Sequence, residues 1–376
     1  MLGSGGDGVL LLETGLEVPM ENGRPAYFNY YWLRDNCPSS FDAQTRERVY
    51  DIFSEETPPR AETAAIAGGC LEIAWQGSGH VTRLPLDFLS AQAGGEKRPD
   101  PARIAREPWF CDHYENMARF AQPDLVRDKT CLADWIEALL RDGVALVTGM
   151  PDTDAGLLET AGLLGHVRPS YFGLVFEVKT HINPTNLAFT AKALELHTDL
   201  PSEDAAPGVQ FLHCRANSVI GGDSLFVDGL AVAEAFRAAH PDAFQLLAHT
   251  DVPYYCEHET FDMRARQRVI ELDDEGAVSG VTISQHQADI FDLPQHDLDR
   301  YYPAFCRFGR MLQEDRFLMR FRLNAGECIV FDNHRIVHGR AGYTASSGDR
   351  HLRGCYIDRG EMRSTYRCLK GKGRFA

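Results

Sequence analysis

The sequence predicts a mainly β protein in which two sheets pack together and helices decorate them. Many short apolar runs are bounded by Gly, Asp or Pro, which is the usual pattern of strands joined by turns. Apolar residues recur at helical spacing in only a few segments. With 376 residues, the chain is long enough for two domains.

Composition excludes several classes of protein. The chain is 44% apolar and 24% charged, which is typical of globular proteins. Its net charge of −16 disfavours nucleic acid and anionic membranes as partners. No apolar run approaches the roughly 18 residues of a transmembrane helix, and the beginning lacks a signal-peptide pattern. The ten cysteines form no CxxC pair, so we expect reduced thiols and a cytoplasmic location.

The chain changes character near residue 100. All four tryptophans lie in the first 135 residues, and residues 94–101 are polar with two prolines, as in a linker. We therefore predict a small, β-rich N-terminal domain over 1–98 and a larger domain over 99–376. The predicted strands of the small domain are Val9–Leu12, Leu71–Trp75 and Val81–Leu84.

The larger domain holds most of the predicted elements. Its predicted strands are Val144–Val147, Val209–Cys214, Ser224–Val227, Val252–Tyr255, Val269–Leu272, Val278–Ile283, Phe317–Leu323, Cys328–Phe331 and Leu352–Ile357. Helices are predicted over Leu132–Arg141, which Gly143 ends, and over Leu298–Leu312.

The first chemical signal is His197-Thr198-Asp199. In extended backbone, residues two apart face the same way, so an imidazole and a carboxylate can reach one metal ion. A third protein ligand would complete the facial triad of non-haem iron oxygenases. Two similar patterns carry less weight: His240-Pro241-Asp242 looks like a helix start, and His113-Tyr114-Glu115 has no strand pattern around it.

Further motifs follow in a fixed order. They are GGDSLFVDG at 221–229, NAGE at 324–327, VFDN at 330–333, HGR at 338–340 and RHL at 350–352. Together with the HTD motif they resemble the γ-butyrobetaine hydroxylase-like group of the TauD family of Fe(II)/2-oxoglutarate dioxygenases. The resemblance covers roughly residues 140–370, and Trp32–Pro38 resembles the small domain that precedes it in these enzymes.

The resemblance implies a distorted double-stranded β-helix, or jelly roll, that hydroxylates a small molecule and releases succinate and CO₂. It implies that His197, Asp199 and His338 hold the Fe(II), with His334 as the rival third ligand. Arg350 matches the arginine that binds the distal carboxylate of 2-oxoglutarate, for which a planar guanidinium is well suited. Ser224 is expected to add a hydroxyl contact.

The resemblance also implies an aromatic cage for a trimethylammonium group, held by attraction to ring faces. The matching positions are Phe172, Phe176, Phe189 and Tyr356, all of them aromatic. The competing interpretation is that these rings are ordinary core residues.

The anionic end of the substrate site departs from the family pattern. Asn186 matches a residue that relatives use, but Leu200 replaces an expected tyrosine, and Ser284-Gln285-His286 lacks an expected asparagine. These polar groups could serve the three oxygens of a phosphonate. We therefore predict 2-(trimethylamino)ethylphosphonate, hydroxylated next to phosphorus, as the substrate, with γ-butyrobetaine and trimethyllysine as alternatives. A zinc hydrolase would give Arg350 no role. A non-catalytic binding module would give the complete ligand set no role.

The N-terminal domain departs from the family pattern as well. Relatives carry a Cys₃His zinc site, of which Cys37 and His80 remain, while Ser39 and Asp42 occupy the two other cysteine positions. A closed zinc site needs four ligands, so this set disfavours zinc. Because relatives are often dimers, a homodimer is expected.

Overall fold

The computed structural model describes residues 8–21, 23–179 and 189–371. The chain divides into two compact units, Met1–Pro99 and Asp100–Ala376. This division lies one residue from the boundary that the sequence predicts. No helix among the described residues is long and apolar enough to cross a membrane.

The first unit consists of two small antiparallel meanders. Its strands and helices are β1 Leu10–Leu11, β2 Gly15–Pro19, β3 Pro25–Asn29, α1 Tyr30–Asp35, β4 Ala61–Ala67, β5 Cys70–Trp75, β6 Val81–Pro85 and α2 Leu86–Gln92. The sheet orders are β1-β2-β3 and β4-β5-β6. Alternate residues of the strands point into one apolar core, in which Trp75 is buried and donates a 2.8 Å hydrogen bond to Thr82.

Three of the four residues that the resemblance matches to zinc ligands, Cys37, Ser39 and His80, lie together. Cys37 Sγ lies 3.2 Å from Ser39 Oγ and 3.4 Å from His80 Nε2. Burial opposes the thiolate, but hydrogen bonds from Ser39 and Thr82 hold the pKa of Cys37 below its usual value. The Asp42 carboxylate instead accepts the backbone N–H groups of Gln44 and Thr45 in its own turn.

The second unit contains the remaining elements. Its strands are β7 Arg119–Ala121, β8 Val144–Thr148, β9 Val167–Arg168, β10 Phe176–Val178, β11 Leu194–His197, β12 Val209–Asn217, β13 Ile220–Gly221, β14 Ser224–Asp228, β15 Asp251–His258, β16 Phe261–Arg268, β17 Ile270–Leu272, β18 Val278–Val281, β19 Met319–Phe321, β20 Cys328–Asp332, β21 Ile336–Arg340, β22 Tyr343–Thr344 and β23 Arg350–Ile357. Its helices are α3 His113–Asn116, α4 Gln122–Arg127, α5 Lys129–Asp142, α6 Asp154–Gly162, α7 Gly229–Ala239, α8 Pro241–His249, α9 Gln295–Leu312 and α10 Arg359–Leu369.

Two sheets of the second unit pack face to face. The larger has the order β10-β23-β12-β20-β8-β7, with β9 also paired to β23, and the smaller has the order β11-β21-β14-β19. Between them lies an apolar cluster in which the Phe226 ring of β14 meets the Phe331 ring of β20 at 5.1 Å. The mainly β prediction is therefore confirmed, and the arrangement is that of a jelly roll.

Helix boundaries follow their local signals. The Asp128 side chain accepts from Thr130 N at the start of α5, and Gly143 ends this helix in the left-handed conformation at φ 76°. Pro241 begins α8, as the His-Pro-Asp pattern predicts, and His113 begins the short helix α3.

One long hairpin departs from the sequence prediction. Strand β16 pairs with β15 over its whole length, although no strand was predicted at 261–268. Its residues, FDMRARQR, alternate between more buried and exposed positions, but only Phe261, Met263 and Ala265 are apolar, so the strand lacks the continuous apolar run of the predicted strands. Cross-strand pairing with β15 and this alternating burial together define the element.

Candidate active site

Two antiparallel strands bring the two predicted histidine ligands together. His197 ends β11 and lies directly opposite His338 of β21, with ring centroids 4.4 Å apart. Asp199 Oδ1 lies 3.1 Å from His197 Nε2 and 3.8 Å from His338 Nε2. Candidate ligand atoms of the three residues lie within 4.8 Å of one another. Two imidazoles and one carboxylate form the donor set of a facial Fe(II) site.

The imidazole nitrogens are oriented for this role. His197 Nδ1 donates a 2.8 Å hydrogen bond to the Glu195 carbonyl, which leaves Nε2 directed at Asp199. Burial, and then the charge of His197, lower the pKa of His338 to about 3. A neutral imidazole is the form that binds a metal ion.

The Asp199 carboxylate is held from one side by Tyr356. The Tyr356 hydroxyl donates a 2.7 Å hydrogen bond to Oδ2, while Oδ1 faces the two histidines. Burial alone would raise the pKa of Asp199, but the hydrogen bond from His197, the charges of both histidines and the Tyr356 hydroxyl hold it below its usual value. The carboxylate is therefore ionised, and Oδ1 is the oxygen that faces the two histidines.

Asn333 holds the backbone of Asp199, a role that the sequence reasoning missed. Asp199 N donates to Asn333 Oδ1 at 2.7 Å, and Asn333 Nδ2 donates to the carbonyls of Asp199 and Pro207, both at 3.0 Å. The next residue, Leu200, is buried with a left-handed φ of 54°, which is strained for a side chain of this size. This asparagine belongs to the VFDN motif, and the motif could have indicated its role from the sequence.

The rival histidine lies elsewhere. His334 lies in the turn between β20 and β21, where its Nε2 is 3.0 Å from the Ala206 carbonyl. It does not share a face with His338, because the backbone at 333–335 turns instead of extending. His334 is not part of the three-residue cluster.

Arg350 and Ser224 line the same pocket as the triad. Arg350 begins β23, and Ser224 begins β14. Burial, and then the charge of Arg340, lower the pKa of Arg350 to about 10. Its buried Nε has no hydrogen-bond partner among the described residues. A buried guanidinium with unused donors fits a carboxylate ligand such as 2-oxoglutarate.

An aromatic wall closes another part of the pocket. Phe172, Phe176, Phe189 and Tyr356 all line it. The Phe176 and Tyr356 rings stack at 5.0 Å, and Phe172 lies 6.5 Å from Phe176. Phe176 packs directly on the backbone of β23 at Gly354, where an added Cβ would lie 2.2 Å from the ring. Asn186 lies outside the described residues.

The polar segment at 284–287 differs from its predicted arrangement. Ser284 is fully buried and Gln285 is exposed, and neither lines the pocket. His286 and Gln287 line it instead, because Gln285–Gln287 forms a 3-10 turn in which successive side chains point about 120° apart. Desolvation, and then the positive charge of His197, lower the pKa of His286 to about 4.

The remaining pocket wall is largely apolar. Beyond the residues already named, it contains Val178, Leu194, Leu200, Gln210, Leu212, Phe226, Gly339, Arg340 and Leu352. An apolar enclosure with a few convergent polar groups is typical of a small-molecule site. Bound iron would supply the site for O₂ activation and for chelation of a keto acid, which these side chains cannot provide themselves.

Comparison with known proteins identifies the family. Residues 113–356 match the model of the taurine catabolism dioxygenase TauD, TfdA family. A γ-butyrobetaine dioxygenase of Pseudomonas sp. (strain AK-1) is 33% identical over 93% of this chain and 92% of its own length. The human γ-butyrobetaine dioxygenase is 29% identical over 90% of each chain. The mitochondrial trimethyllysine dioxygenase of Bos taurus is 26% identical over 91% of this chain and 82% of its own. The chain therefore belongs to the TauD/TfdA family, and it is an Fe(II)- and 2-oxoglutarate-dependent dioxygenase.

Proposed function

We propose that this dioxygenase hydroxylates a small zwitterion that carries a trimethylammonium group. The observation that supports this most strongly is the aromatic wall, which shares one pocket with the His197, Asp199 and His338 triad. Ring faces attract a quaternary ammonium ion that can neither donate a hydrogen bond nor approach a carboxylate closely. The relatives named for γ-butyrobetaine and trimethyllysine are consistent with such a substrate.

In this proposal each polar residue has a separate task. The triad holds Fe(II) through His197 Nε2, Asp199 Oδ1 and His338 Nε2. Arg350 binds the distal carboxylate of 2-oxoglutarate through two parallel hydrogen bonds, and the Ser224 hydroxyl adds a third. The Tyr356 hydroxyl keeps the second Asp199 oxygen away from the metal. The aromatic and aliphatic walls exclude water and orient the bond to be oxidised.

For the anionic end of the substrate we propose a phosphonate, as in 2-(trimethylamino)ethylphosphonate. Leu200 stands where the family resemblance implies a tyrosine, and two hydrogen-bonding side chains, His286 and Gln287, line the pocket. A phosphonate offers three acceptor oxygens to such donors. γ-Butyrobetaine is the second candidate, because the Pseudomonas relative is named for it and is 33% identical.

The test is succinate formation with three substrates under identical conditions: the phosphonate, γ-butyrobetaine and trimethyllysine. We expect the phosphonate to give the highest kcat/KM, and a clear preference for either other compound would overturn the phosphonate assignment. A carbon isostere, with tert-butyl in place of trimethylammonium, tests the cage. If that neutral isostere is turned over as well as its cationic parent, the trimethylammonium proposal is wrong.

Phe172→Ala and Phe176→Ala then test the wall itself. Each should raise KM for the cationic substrate by about tenfold, as expected for losing a desolvated cation–π contact of roughly 1–2 kcal/mol. Each should leave the KM for 2-oxoglutarate unchanged. If KM rises equally for the cationic substrate and for the neutral isostere, the substitution has removed only packing contacts.

A further inference from the structure

A second cavity, of about 680 Å³, lies in the Asp100–Ala376 unit. It is lined by the segment at 100–106, by residues of α7 and α10, by the β17–β18 hairpin and by the turn between β20 and β21. Its lining shares no residue with the pocket of the triad. Five arginines line it: Arg103, Arg106, Arg335, Arg359 and Arg363.

Two of these arginines already have carboxylate partners. Arg335 forms a two-point ion pair with the buried Asp228, at 2.9 and 2.8 Å, and also donates to two backbone carbonyls. Arg103 lies 2.6 Å from Glu275 at the exposed rim. The charges of these two side chains are therefore balanced within the protein.

The other three arginines share a single close carboxylate. Arg359 pairs with Asp332 at 3.0 Å, and its buried Nε has no acceptor among the described residues. Arg106 donates to the carbonyl oxygens of Val278 and Ser279, which carry no net charge. Arg363 forms no hydrogen bond or ion pair within the described part of the chain. Three guanidinium groups thus have one directly paired carboxylate between them.

The other acidic residues of the lining are engaged elsewhere. Asp100 forms a two-point ion pair with Arg367, outside the lining, at 2.7 and 2.5 Å. Glu234 lies 3.4 Å from Arg237 on the same helix. Asp273 accepts the backbone N–H groups of its own turn, and Asp274 lies near Arg103. The lining thus contains five carboxylates for its five arginines, but only Asp332 forms a close ion pair with a member of the group Arg106, Arg359 and Arg363.

The pKa values of the clustered arginines show that their charges act on one another. Burial, and then the positive charge of Arg359, lower the pKa of Arg106 and of Arg363, whereas Asp332 opposes both shifts and Asp100 opposes that of Arg363. Like charges that are held together in a partly buried cavity are unfavourable unless an anion balances them. The cluster also contrasts with the chain as a whole, whose net charge is −16.

We propose that this cavity binds a small molecule through a tetrahedral dianionic group, such as a phosphate ester. A guanidinium presents two parallel N–H donors that match two oxygens of such a group. Arg106, Arg359 and Arg363 supply three such donor pairs from two separate segments of the chain, the segment at 100–106 and helix α10. Because the two linings are distinct, the ligand binds alongside 2-oxoglutarate and the primary substrate.

The experiment uses inorganic sulfate, a tetrahedral dianion, as the probe. Binding is measured by isothermal titration calorimetry on the full chain, loaded with Mn(II) and 2-oxoglutarate so that the active site is filled, at constant ionic strength with chloride. Three variants are compared with the unaltered chain: Arg363→Gln, Arg106→Gln and, as the matched control, Arg103→Gln. Urea unfolding of each variant checks that it is folded.

We expect saturable sulfate binding by the unaltered chain. Arg363→Gln and Arg106→Gln should each weaken it about tenfold, the usual effect of losing one charge-assisted hydrogen-bonding partner. Arg103→Gln should leave it within about twofold, because that charge is already paired. Absence of saturable binding, or equal weakening by Arg103→Gln, overturns the proposal. If Arg363→Gln does not fold, Arg106→Gln decides alone.

Discussion

The Tyr356 hydroxyl donates a 2.7 Å hydrogen bond to Asp199 Oδ2, and its ring stacks on Phe176 at 5.0 Å. One side chain thus joins the aromatic wall to the metal triad. The hydrogen bond from the phenol fixes the orientation of the carboxylate, so that its other oxygen is held in place for a metal ion. Groups of this kind around metal ligands commonly contribute one to two orders of magnitude to metal affinity.

Tyr356→Phe should weaken metal binding while keeping the ring of the wall. We expect the dissociation constant for Mn(II), measured by titration calorimetry, to rise about tenfold, since the buried Asp199 oxygen loses its donor. Tyr366→Phe is the matched control, because its hydroxyl bonds Glu137 away from the site. Unchanged Mn(II) affinity in Tyr356→Phe would rule out a positioning role for the hydroxyl.

The two rival histidines can be separated by one optical measurement. Anaerobic addition of Fe(II) and 2-oxoglutarate should produce a weak visible charge-transfer band. His338→Ala should abolish this band, because it removes one of three ligands. His334→Ala should retain it, since that ring contacts the Ala206 carbonyl. The reverse pattern would assign the third ligand to His334.

Arg350→Lys should separate binding of 2-oxoglutarate from binding of metal. Lysine keeps the positive charge but loses the planar two-point grip on a carboxylate. We expect KM for 2-oxoglutarate to rise about a hundredfold, with Mn(II) affinity within about twofold of the unaltered enzyme. An unchanged KM for 2-oxoglutarate would show that another group holds its distal carboxylate.

Asn333→Ala should disturb the triad through the backbone. Its side chain accepts from Asp199 N and donates to two carbonyls, beside the strained Leu200. Loss of these bonds leaves buried groups unpaired, which costs about 1–3 kcal/mol. We expect a lower free energy of unfolding in urea and weaker Mn(II) binding. If Asn333→Ala binds Mn(II) as tightly as the unaltered chain, Asn333 has no role at the site.

Asp228→Asn tests the stability of the scaffold. Asp228 is fully buried, pairs with Arg335, and accepts from Leu230 N at the start of α7 and from Trp109 N. Breaking a buried ion pair from one side costs about 3–5 kcal/mol, because the remaining charge is left uncompensated. Urea unfolding should show this loss. Asp262→Asn, at an exposed pair with Arg264, is the control and should change stability by less than about 1 kcal/mol.

The amino-acid sequence was sufficient to predict the chemistry of the site and the fold class. Strand alternation, the HTD and HGR motifs and Arg350 are local patterns of residue type, and residue type sets which atoms can bind a metal or a carboxylate. The mainly β architecture and the dioxygenase family were therefore predictable. Strand β16 was not predicted, because its three apolar residues, Phe261, Met263 and Ala265, are separated by charged ones and form no apolar run.

The relative placement of distant segments required the folded chain. Strand register sets His338 opposite His197, and a 3-10 turn directs Gln287 instead of Gln285 into the pocket. The hydrogen bonds from Tyr356 and Asn333 to Asp199 span 157 and 134 residues. The cluster of Arg106, Arg359 and Arg363 likewise joins both ends of the second unit. Such contacts depend on long-range packing and backbone turns, which a single sequence encodes only through the whole fold.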